Sequence, residues 1–148
     1  CHGLKMIAEN SDAQIVYPVH LNPNVQKPVK SILINTKNVY LVEPLDYYTF
    51  VWLMNRSYII LTDSGGIQEE APALAKPVLV MRKRTERPEG IEAGVAKLVG
   101  TERESIFRET MKLLDSKEDY QKMAQAKNPY GDGFAAERIL EILERENF

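Results

Sequence analysis

A chain of 148 residues has the size of one ordinary domain and is long enough to bury a full hydrophobic core. Its formal net charge is −2 with both signs interspersed, which argues against nucleic acid as a partner, and no segment reaches the ~20 apolar residues that cross a membrane. Cys1 is the single cysteine, so a disulfide framework within the chain is excluded and a reducing, cytoplasmic location is expected. His2 and His20 are too few to build a zinc site, and we expect no metal and no cofactor.

Short apolar runs alternate with amphipathic stretches along the chain, which is typical of a parallel sheet covered by helices. The first element, Cys1–Asn10, is predicted to be a helix because Leu4, Ile7 and Ala8 share one face. Since no strand precedes this helix, we expect the chain to continue a longer protein. Five strands follow, each apolar enough to be covered on both faces: Gln14–Pro18, Asn38–Val42, Tyr58–Thr62, Pro77–Met81 and Ala96–Val99.

The intervals between the strands have helical patterns. Asp46 is a suitable N-cap for one helix, and Thr101 with Glu104 has the spacing of a capping box at another. Trp52 lies in an aromatic-rich segment and is expected to be core. The sequence therefore predicts one α/β domain over residues 1–148, with a Rossmann-like parallel sheet of about five strands and helices on both faces. The predicted helices are Pro23–Leu33, Tyr47–Asn55, Gly66–Ala75, Thr101–Leu114, Glu118–Ala126 and Phe134–Glu146.

Ligands of open α/β sheets bind at the carboxyl ends of the strands, so residues that follow a strand are candidates for a site. After the third strand, Asp63 and Ser64 precede Gly65 and Gly66 at the start of a helix. The unpaired N–H groups of a first helical turn bind anions, and glycines let a phosphate approach the backbone closely. Glu70, nearly two turns further on, is placed to accept hydrogen bonds from sugar hydroxyls. The alternative is a strand-to-helix turn whose glycines serve only backbone geometry.

Three other residues are candidates for ligand contact. Arg87 precedes a proline and ends the basic segment Arg82–Arg87, where a rigid guanidinium suits a phosphate; an exposed loop arginine is the alternative. His20 follows the first strand and is either a ligand-contacting or proton-transferring group or plain polar surface. Phe50 is placed to stack on a nucleobase, although core packing is the competing interpretation.

Several common chemistries lack their motifs in this sequence. Ser64 does not lie in a Gly-x-Ser-x-Gly elbow, and no triad arrangement is visible, which argues against acyl transfer. No lysine of the Walker type follows the glycines, and no Gly-x-Gly-x-x-Gly fingerprint is present. A nucleoside diphosphate or a nucleotide sugar suits the residues better than a nucleoside triphosphate or a dinucleotide.

Five motifs occur in one order across essentially the whole chain: Tyr17-Pro-Val-His20-Leu-Asn-Pro-Asn24, Asp63-Ser-Gly-Gly-Ile-Gln-Glu-Glu70-Ala-Pro72, Lys76-Pro-Val-Leu-Val-Met-Arg82, Thr85-Glu-Arg-Pro-Glu89 and Asn128-Pro-Tyr-Gly-Asp-Gly133. This set closely resembles the non-hydrolysing UDP-N-acetylglucosamine 2-epimerases. The resemblance implies the C-terminal half of a two-domain fold of the glycosyltransferase-B (GT-B) type, with the UDP-sugar in the interdomain cleft. It also implies a homodimer for the full-length enzyme, and bacterial polysaccharide biosynthesis as its setting.

Members of that family interconvert UDP-N-acetylglucosamine and UDP-N-acetylmannosamine. The proposed chemistry removes the C2 proton, eliminates UDP to leave a 2-acetamidoglucal, and adds UDP back after protonation on the opposite face. By this resemblance His20 contacts the substrate or a regulatory second UDP-N-acetylglucosamine. The matched UDP-binding positions are Ser64, Gly65 and Gly66 at the phosphates, Arg87 at the diphosphate, Glu70 at the ribose and Phe50 beside uracil.

The sequence departs from the family pattern at two points. Leu45 stands where some members have a glutamine that contacts the nucleotide. The acidic residues that handle the C2 proton, and a Thr-x-His-Arg motif, belong to a part of the family's sequence that precedes the helix at Cys1. We therefore expect no catalytic residue in this chain, weak UDP binding, and no epimerisation by the chain alone.

Two alternatives to a non-hydrolysing epimerase remain at this point. One is another enzyme with the same scaffold, either the hydrolysing form of the epimerase, which releases free N-acetylmannosamine, or a glycosyltransferase. The other is a nucleotide-binding or interaction domain without catalytic activity. The products of the reaction separate the enzymes, and the presence or absence of UDP binding separates a retained site from a scaffold.

Overall fold

The structure is a computed structural model that describes residues 1–146 of the chain. All five predicted strands are present, each shorter than predicted by one or two residues. Their bounds are β1 (Ile15–Pro18), β2 (Val39–Val42), β3 (Ile60–Thr62), β4 (Val78–Val80) and β5 (Ala96–Leu98). Every strand pair is parallel, with β1 beside β2 and with β3, β4 and β5 in that order.

The helices are α1 (His2–Asn10), α2 (Pro23–Leu33), α3 (Tyr47–Arg56), α4 (Gly65–Ala73), α5 (Pro88–Glu92), α6 (Arg103–Asp115), α7 (Lys117–Ala124) and α8 (Ala135–Glu146). Helix α5 is an addition to the prediction; it begins at Pro88, whose fixed φ suits a first helical position. Asp46 is the N-cap of α3, accepting the Thr49 amide at 3.1 Å, and its hydrogen bonds to Thr49 lower its pKa. The capping box expected at Thr101 is wrong, because α6 begins after Glu102, which makes no side-chain capping bond.

The five strands form two hydrogen-bonded groups instead of one continuous sheet, since β1 and β3 are not paired within residues 1–146. Between these two strands lies a cavity of about 680 Å³, to which Ile15, Tyr17, Ile59 and Leu61 contribute. Apolar periodicity identifies strands but carries no information about which strands pair, and this explains why the separation was not foreseen.

The two faces of β4 hold the two parts of the hydrophobic core. Leu79 points into a cluster formed with α1, α2 and α6, whereas Val78 and Val80 point into a second cluster formed with α3 and α4. This alternation follows from the two-residue side-chain repeat of a strand. All three residues are fully buried, so helices cover both faces at β4 as predicted.

The other pair of strands is less completely covered. Val16 of β1 and Tyr40 of β2 lie opposite each other in the register and are 42% and 49% exposed. Trp52, expected in the core, is 59% exposed, with the guanidinium carbon of Arg56 5.0 Å from its ring centroid. Helix α3 instead buries Met54, which is about 200° further around the helix and therefore on the opposite side from Trp52.

The loop between α7 and α8 packs on α5 through Tyr130. A Cβ atom built on Gly90 would clash with the Tyr130 hydroxyl, so a larger residue at this position requires Tyr130 to shift. That hydroxyl is buried and has no partner with hydrogen-bond geometry among residues 1–146, and burial raises the pKa of Tyr130. None of the helices within residues 1–146 combines the length and the apolar composition needed to cross a bilayer.

Replacing Leu79 by alanine tests the central position of β4. Since its side chain is fully buried, we expect Leu79→Ala to lower the free energy of unfolding by about 2–5 kcal/mol, measured by urea denaturation. The matched control is Leu21→Ala, because Leu21 is 64% exposed; this change should cost less than about 0.5 kcal/mol. Similar losses in the two variants would contradict the core assigned here.

The contact between Gly90 and Tyr130 gives a second test. Gly90→Ala should destabilise the domain by about 1–3 kcal/mol through overpacking. Tyr130→Phe removes a buried hydroxyl without a partner and should be close to neutral. The double variant should recover most of the lost stability, because the nearest remaining ring carbon lies 3.3 Å from the added methyl group. Additive losses in thermal denaturation would show that the two residues do not meet.

Candidate functional site

The candidate site lies at the carboxyl edge of the β3–β5 group. Parallel pairing places Thr62 opposite Val80, so the loops that follow β3 and β4 leave the sheet side by side. The first loop leads through Ser64 into α4, and the second carries the basic segment that ends at Arg87, immediately before α5. Two segments that are some twenty residues apart in the sequence are therefore neighbours in space.

The start of α4 presents unpaired backbone donors to this edge. Ser64 is the N-cap residue, and its side chain makes no capping bond, while its own amide donates to the Thr62 hydroxyl at 3.0 Å. The first-turn amides of an α-helix have no partner within the helix, and they carry its partial positive charge. Gly65 and Gly66 occupy that turn, as the sequence predicted, and the helix begins one residue earlier than expected.

Arg87 lies directly over this turn. A Cβ atom built on Gly65 would be 3.7 Å from Nη2 of Arg87, so the guanidinium and the N-terminus of α4 face the same space. The Nε of Arg87 donates to the Glu69 carboxylate, and this hydrogen bond is the main cause that raises the pKa of Arg87. Of the sequence-predicted phosphate ligands, the structure thus brings Gly65 and Arg87 together.

Carboxylates partly balance the positive charge at this turn. One Glu86 oxygen would lie 3.1 Å from a Cβ on Gly65, and the same carboxylate pairs with Arg82 at 2.7 Å. Hydrogen bonding to Arg82 lowers the pKa of Glu86, which keeps it ionised. Two guanidinium groups and two carboxylates, those of Glu69 and Glu86, therefore surround the start of α4. The sequence analysis singled out only the arginines.

A buried amide connects the two loops of the site. Gln68 has no exposed surface, although glutamine inside a helix is normally solvated. Its Nε2 donates to the Ser64 carbonyl at 3.1 Å, and its Oε1 accepts the Thr85 hydroxyl at 2.5 Å. Thr85 in turn accepts the backbone N–H of Arg87 at 3.1 Å. Sequence reasoning missed Gln68; its four-residue spacing from Ser64 was the available signal, and that spacing alone does not indicate burial.

The remaining predicted residues lie at different distances from the turn. One Glu70 oxygen is 4.0 Å from the position of a Cβ on Gly66, so its carboxylate is beside the first turn of α4. Phe50 is half-buried against the cluster formed with α3 and α4, and it lines the same cavity as Ser64. Core packing and a position beside the site are therefore both true of Phe50.

His20 is separate from the residues that meet at α4. It lies on the loop after β1, its side chain is exposed, and its Nδ1 accepts the Asn22 amide at 3.1 Å. This bond leaves the Nε2–H as the outward donor of a neutral imidazole. Tyr17 at the end of β1 and Asp63 after β3 line the same cavity, and burial, followed by the negative charge of Asp63, raises the pKa of Tyr17.

Metal binding has no support in this part of the chain. Across residues 1–146, no three or more histidine, cysteine, aspartate and glutamate side chains are grouped so as to hold an ion. The groups that the described residues place at the site are backbone amides, the guanidinium groups of Arg82 and Arg87, and carboxylates. These groups suit a ligand that combines a phosphate with hydroxyl groups.

Comparison with known proteins identifies the family of the chain. The sequence-family model described as UDP-N-acetylglucosamine 2-epimerase matches residues 1–144. A protein named UDP-N-acetylglucosamine 2-epimerase from Campylobacter jejuni is 62% identical over 97% of this chain, and this chain spans 38% of its length.

Two solved structures extend the comparison to the fold. The complex of MnaA from S. aureus with UDP superposes with a TM-score of 0.91 and 45% identity, covering 99% of this chain and 40% of that one. The structure of the UDP-N-acetylglucosamine 2-epimerase from Neisseria meningitidis bound to UDP-N-acetylglucosamine superposes with a TM-score of 0.86 and 50% identity. The match covers 97% of this chain and 40% of that one. The part matched is the C-terminal part of GT-B folds. The chain therefore belongs to the UDP-N-acetylglucosamine 2-epimerase family.

Proposed function

We propose that this chain is the UDP-binding part of a UDP-N-acetylglucosamine 2-epimerase, an isomerase that interconverts UDP-N-acetylglucosamine and UDP-N-acetylmannosamine. The observation that carries the proposal is the position of the Arg87 guanidinium over Gly65 at the start of α4. The complexes of two relatives, one with UDP and one with UDP-N-acetylglucosamine, support the same ligand class here.

The diphosphate is assigned to the start of α4. Its oxygens accept hydrogen bonds from the amides of Gly65 and Gly66 and from the Ser64 hydroxyl. The Arg87 guanidinium donates further hydrogen bonds to them. In the free site the Glu86 carboxylate pairs with Arg82, and the ligand displaces this carboxylate from the start of α4. A diphosphate carries more negative charge than a carboxylate, so Arg87 and the α4 amides attract it more strongly than they attract Glu86.

The nucleoside is assigned to the neighbouring side chains. Glu70 is half-buried and belongs to no ion pair within the described part of the chain, so its oxygens are available to the ribose hydroxyls. Phe50 lies beside the uracil at the mouth of the cavity that it shares with Ser64. His20 contacts the sugar or a second UDP-sugar through its outward Nε2–H.

In the proposed reaction UDP is first the leaving group and then the nucleophile. Removal of the C2 proton and cleavage of the bond from C1 to the UDP oxygen give a 2-acetamidoglucal; re-formation of that bond and protonation of C2 from the opposite face give the epimer. Negative charge that develops on the departing diphosphate is stabilised by the α4 amides and Arg87, an effect worth several kcal/mol in such sites.

Transfer of the C2 proton is assigned to other parts of the full-length enzyme. This chain covers 38% of its Campylobacter relative, which leaves most of that enzyme to supply the acidic residues. We propose that the full-length protein is a cytoplasmic homodimer and that its reaction retains the UDP-sugar. Free N-acetylmannosamine as the product would identify a hydrolysing enzyme instead, and a requirement for an acceptor would identify a glycosyltransferase.

Arg87→Ala tests the diphosphate site. We expect UDP to bind this variant at least about tenfold more weakly than the unaltered chain in calorimetric titration, because a charge-assisted paired contact is lost. Arg84→Ala is the matched control, since Arg84 is exposed, carries the same charge, and forms no ion pair within residues 1–146. Equal losses of UDP affinity in the two variants would show that only the net charge matters, and would contradict the assignment of Arg87 to the diphosphate.

The division of labour can be tested with the 148-residue chain itself. When it is incubated with UDP-N-acetylglucosamine in deuterated water, we expect proton NMR to show no exchange at C2, because the chain holds UDP but supplies no acid or base at that carbon. A full-length relative serves as the positive control. Exchange at a catalytic rate by this chain would place the proton-transferring residues within it and overturn this part of the proposal.

A further inference from the structure

We infer that Gln68 and Thr85 are positioning residues that determine where the Arg87 guanidinium lies relative to the start of α4. The inference rests on the proposed function, since it concerns how the same site recognises a diphosphate. Neither residue is assigned to the ligand itself. Their role is to hold the loop after β4 in a fixed relation to the turn after β3.

The hydrogen bonds are all donated in one direction, from the loop after β4 toward the turn after β3. The Gln68 amide donates to the Ser64 carbonyl at 3.1 Å, and the Thr85 hydroxyl donates to Gln68 Oε1 at 2.5 Å. Because that hydroxyl has only one proton, its remaining capacity is as an acceptor, and it accepts the Arg87 N–H at 3.1 Å. The backbone of Arg87 is thereby connected to Ser64 through two side chains.

The side chain of Arg87 is held by the next residue of the same helix. Its Nε donates to Glu69, which directly follows Gln68 in α4. Consecutive residues of α4 thus hold Arg87 at its backbone, through Thr85, and at its guanidinium. Because Arg87 is held both at its backbone and at its guanidinium, the guanidinium is already oriented when the ligand arrives, which reduces the entropy lost on binding.

The burial of Gln68 makes the connection selective for an amide. Its side chain has no exposed surface, so both atoms of its amide depend on these two hydrogen bonds in place of water. A glutamate at this position would present an oxygen to the Ser64 carbonyl, where a donor is needed. The alternative is that Gln68 is simply a satisfied core polar group, and this alternative predicts a different pattern of ligand affinities.

The two interpretations differ in what happens to the nucleoside alone. Uridine carries no phosphate and is assigned to Glu70 and Phe50, neither of which hydrogen-bonds to Gln68 or Thr85 within residues 1–146. A positioning role therefore lowers the affinity for UDP and spares the affinity for uridine. A general structural role lowers both by the same factor.

The first experiment compares Thr85→Val, which keeps the shape and removes the hydroxyl, with Thr85→Ser, which keeps the hydroxyl. Binding of UDP is measured by calorimetry and binding of uridine by NMR titration, on the 148-residue chain. We expect Thr85→Val to weaken UDP binding about tenfold and leave uridine within about twofold, and Thr85→Ser to restore UDP binding. Equal weakening of both ligands, or unchanged UDP binding in Thr85→Val, would overturn the inference.

The second experiment is a double-mutant cycle between Gln68→Met and Arg87→Ala. If Gln68 acts through Arg87, its substitution should cost little UDP affinity once Arg87 is absent; additive losses would overturn the inference. Should Gln68→Met fail to fold, the cycle is run with Thr85→Val instead, because Thr85 is a half-buried loop residue. If the unaltered chain itself binds no UDP, the proposed function is wrong as well. If the unaltered chain binds UDP but the variants do not behave as expected, only the positioning role is wrong.

Discussion

Parallel pairing of β3 with β4 is the constraint on which the site depends. The register that places Thr62 opposite Val80 brings the ends of both strands to one edge, and the chain then leaves that edge twice. One exit is a glycine turn whose backbone donors face outward, and the other carries Arg87. Because β4 is fully buried on both faces, this pairing belongs to the close-packed core, and the core sets the spacing of the two loops.

The electrostatics of the site arise from short-range pairing and not from net charge. The chain as a whole is slightly acidic, with a net charge of −2. At the start of α4, Arg82 pairs with Glu86 and Arg87 pairs with Glu69, so the side-chain charges balance there. Under the proposed function, directed amide and guanidinium donors of fixed geometry suit an anion that is first released and then recaptured.

Sequence reasoning identified the elements and the loops that meet, because apolar period and glycine turns are local properties. It placed Ser64, Gly65 and Gly66 at a helix start, which is where they lie. It failed for Gln68 and Trp52, whose burial and exposure depend on which neighbours cover each helix face. Strand pairing is likewise non-local, so the separation of β1 from β3 had no signal in the residues of either strand. Short helices such as α5 depend on context and lack a periodic pattern.

The gap between the two strand groups has a consequence for how the domain opens. The β1–β2 pair is joined to β3–β5 by side-chain packing around Leu79 and Leu33, without strand-to-strand hydrogen bonds among residues 1–146. Separating the groups would therefore break side-chain contacts of the core but no backbone ladder between strands. His20 follows β1, in one group, and Arg87 follows β4, in the other. The position of one residue relative to the other is therefore set by side-chain packing in the core, and not by a backbone ladder between the two groups within residues 1–146.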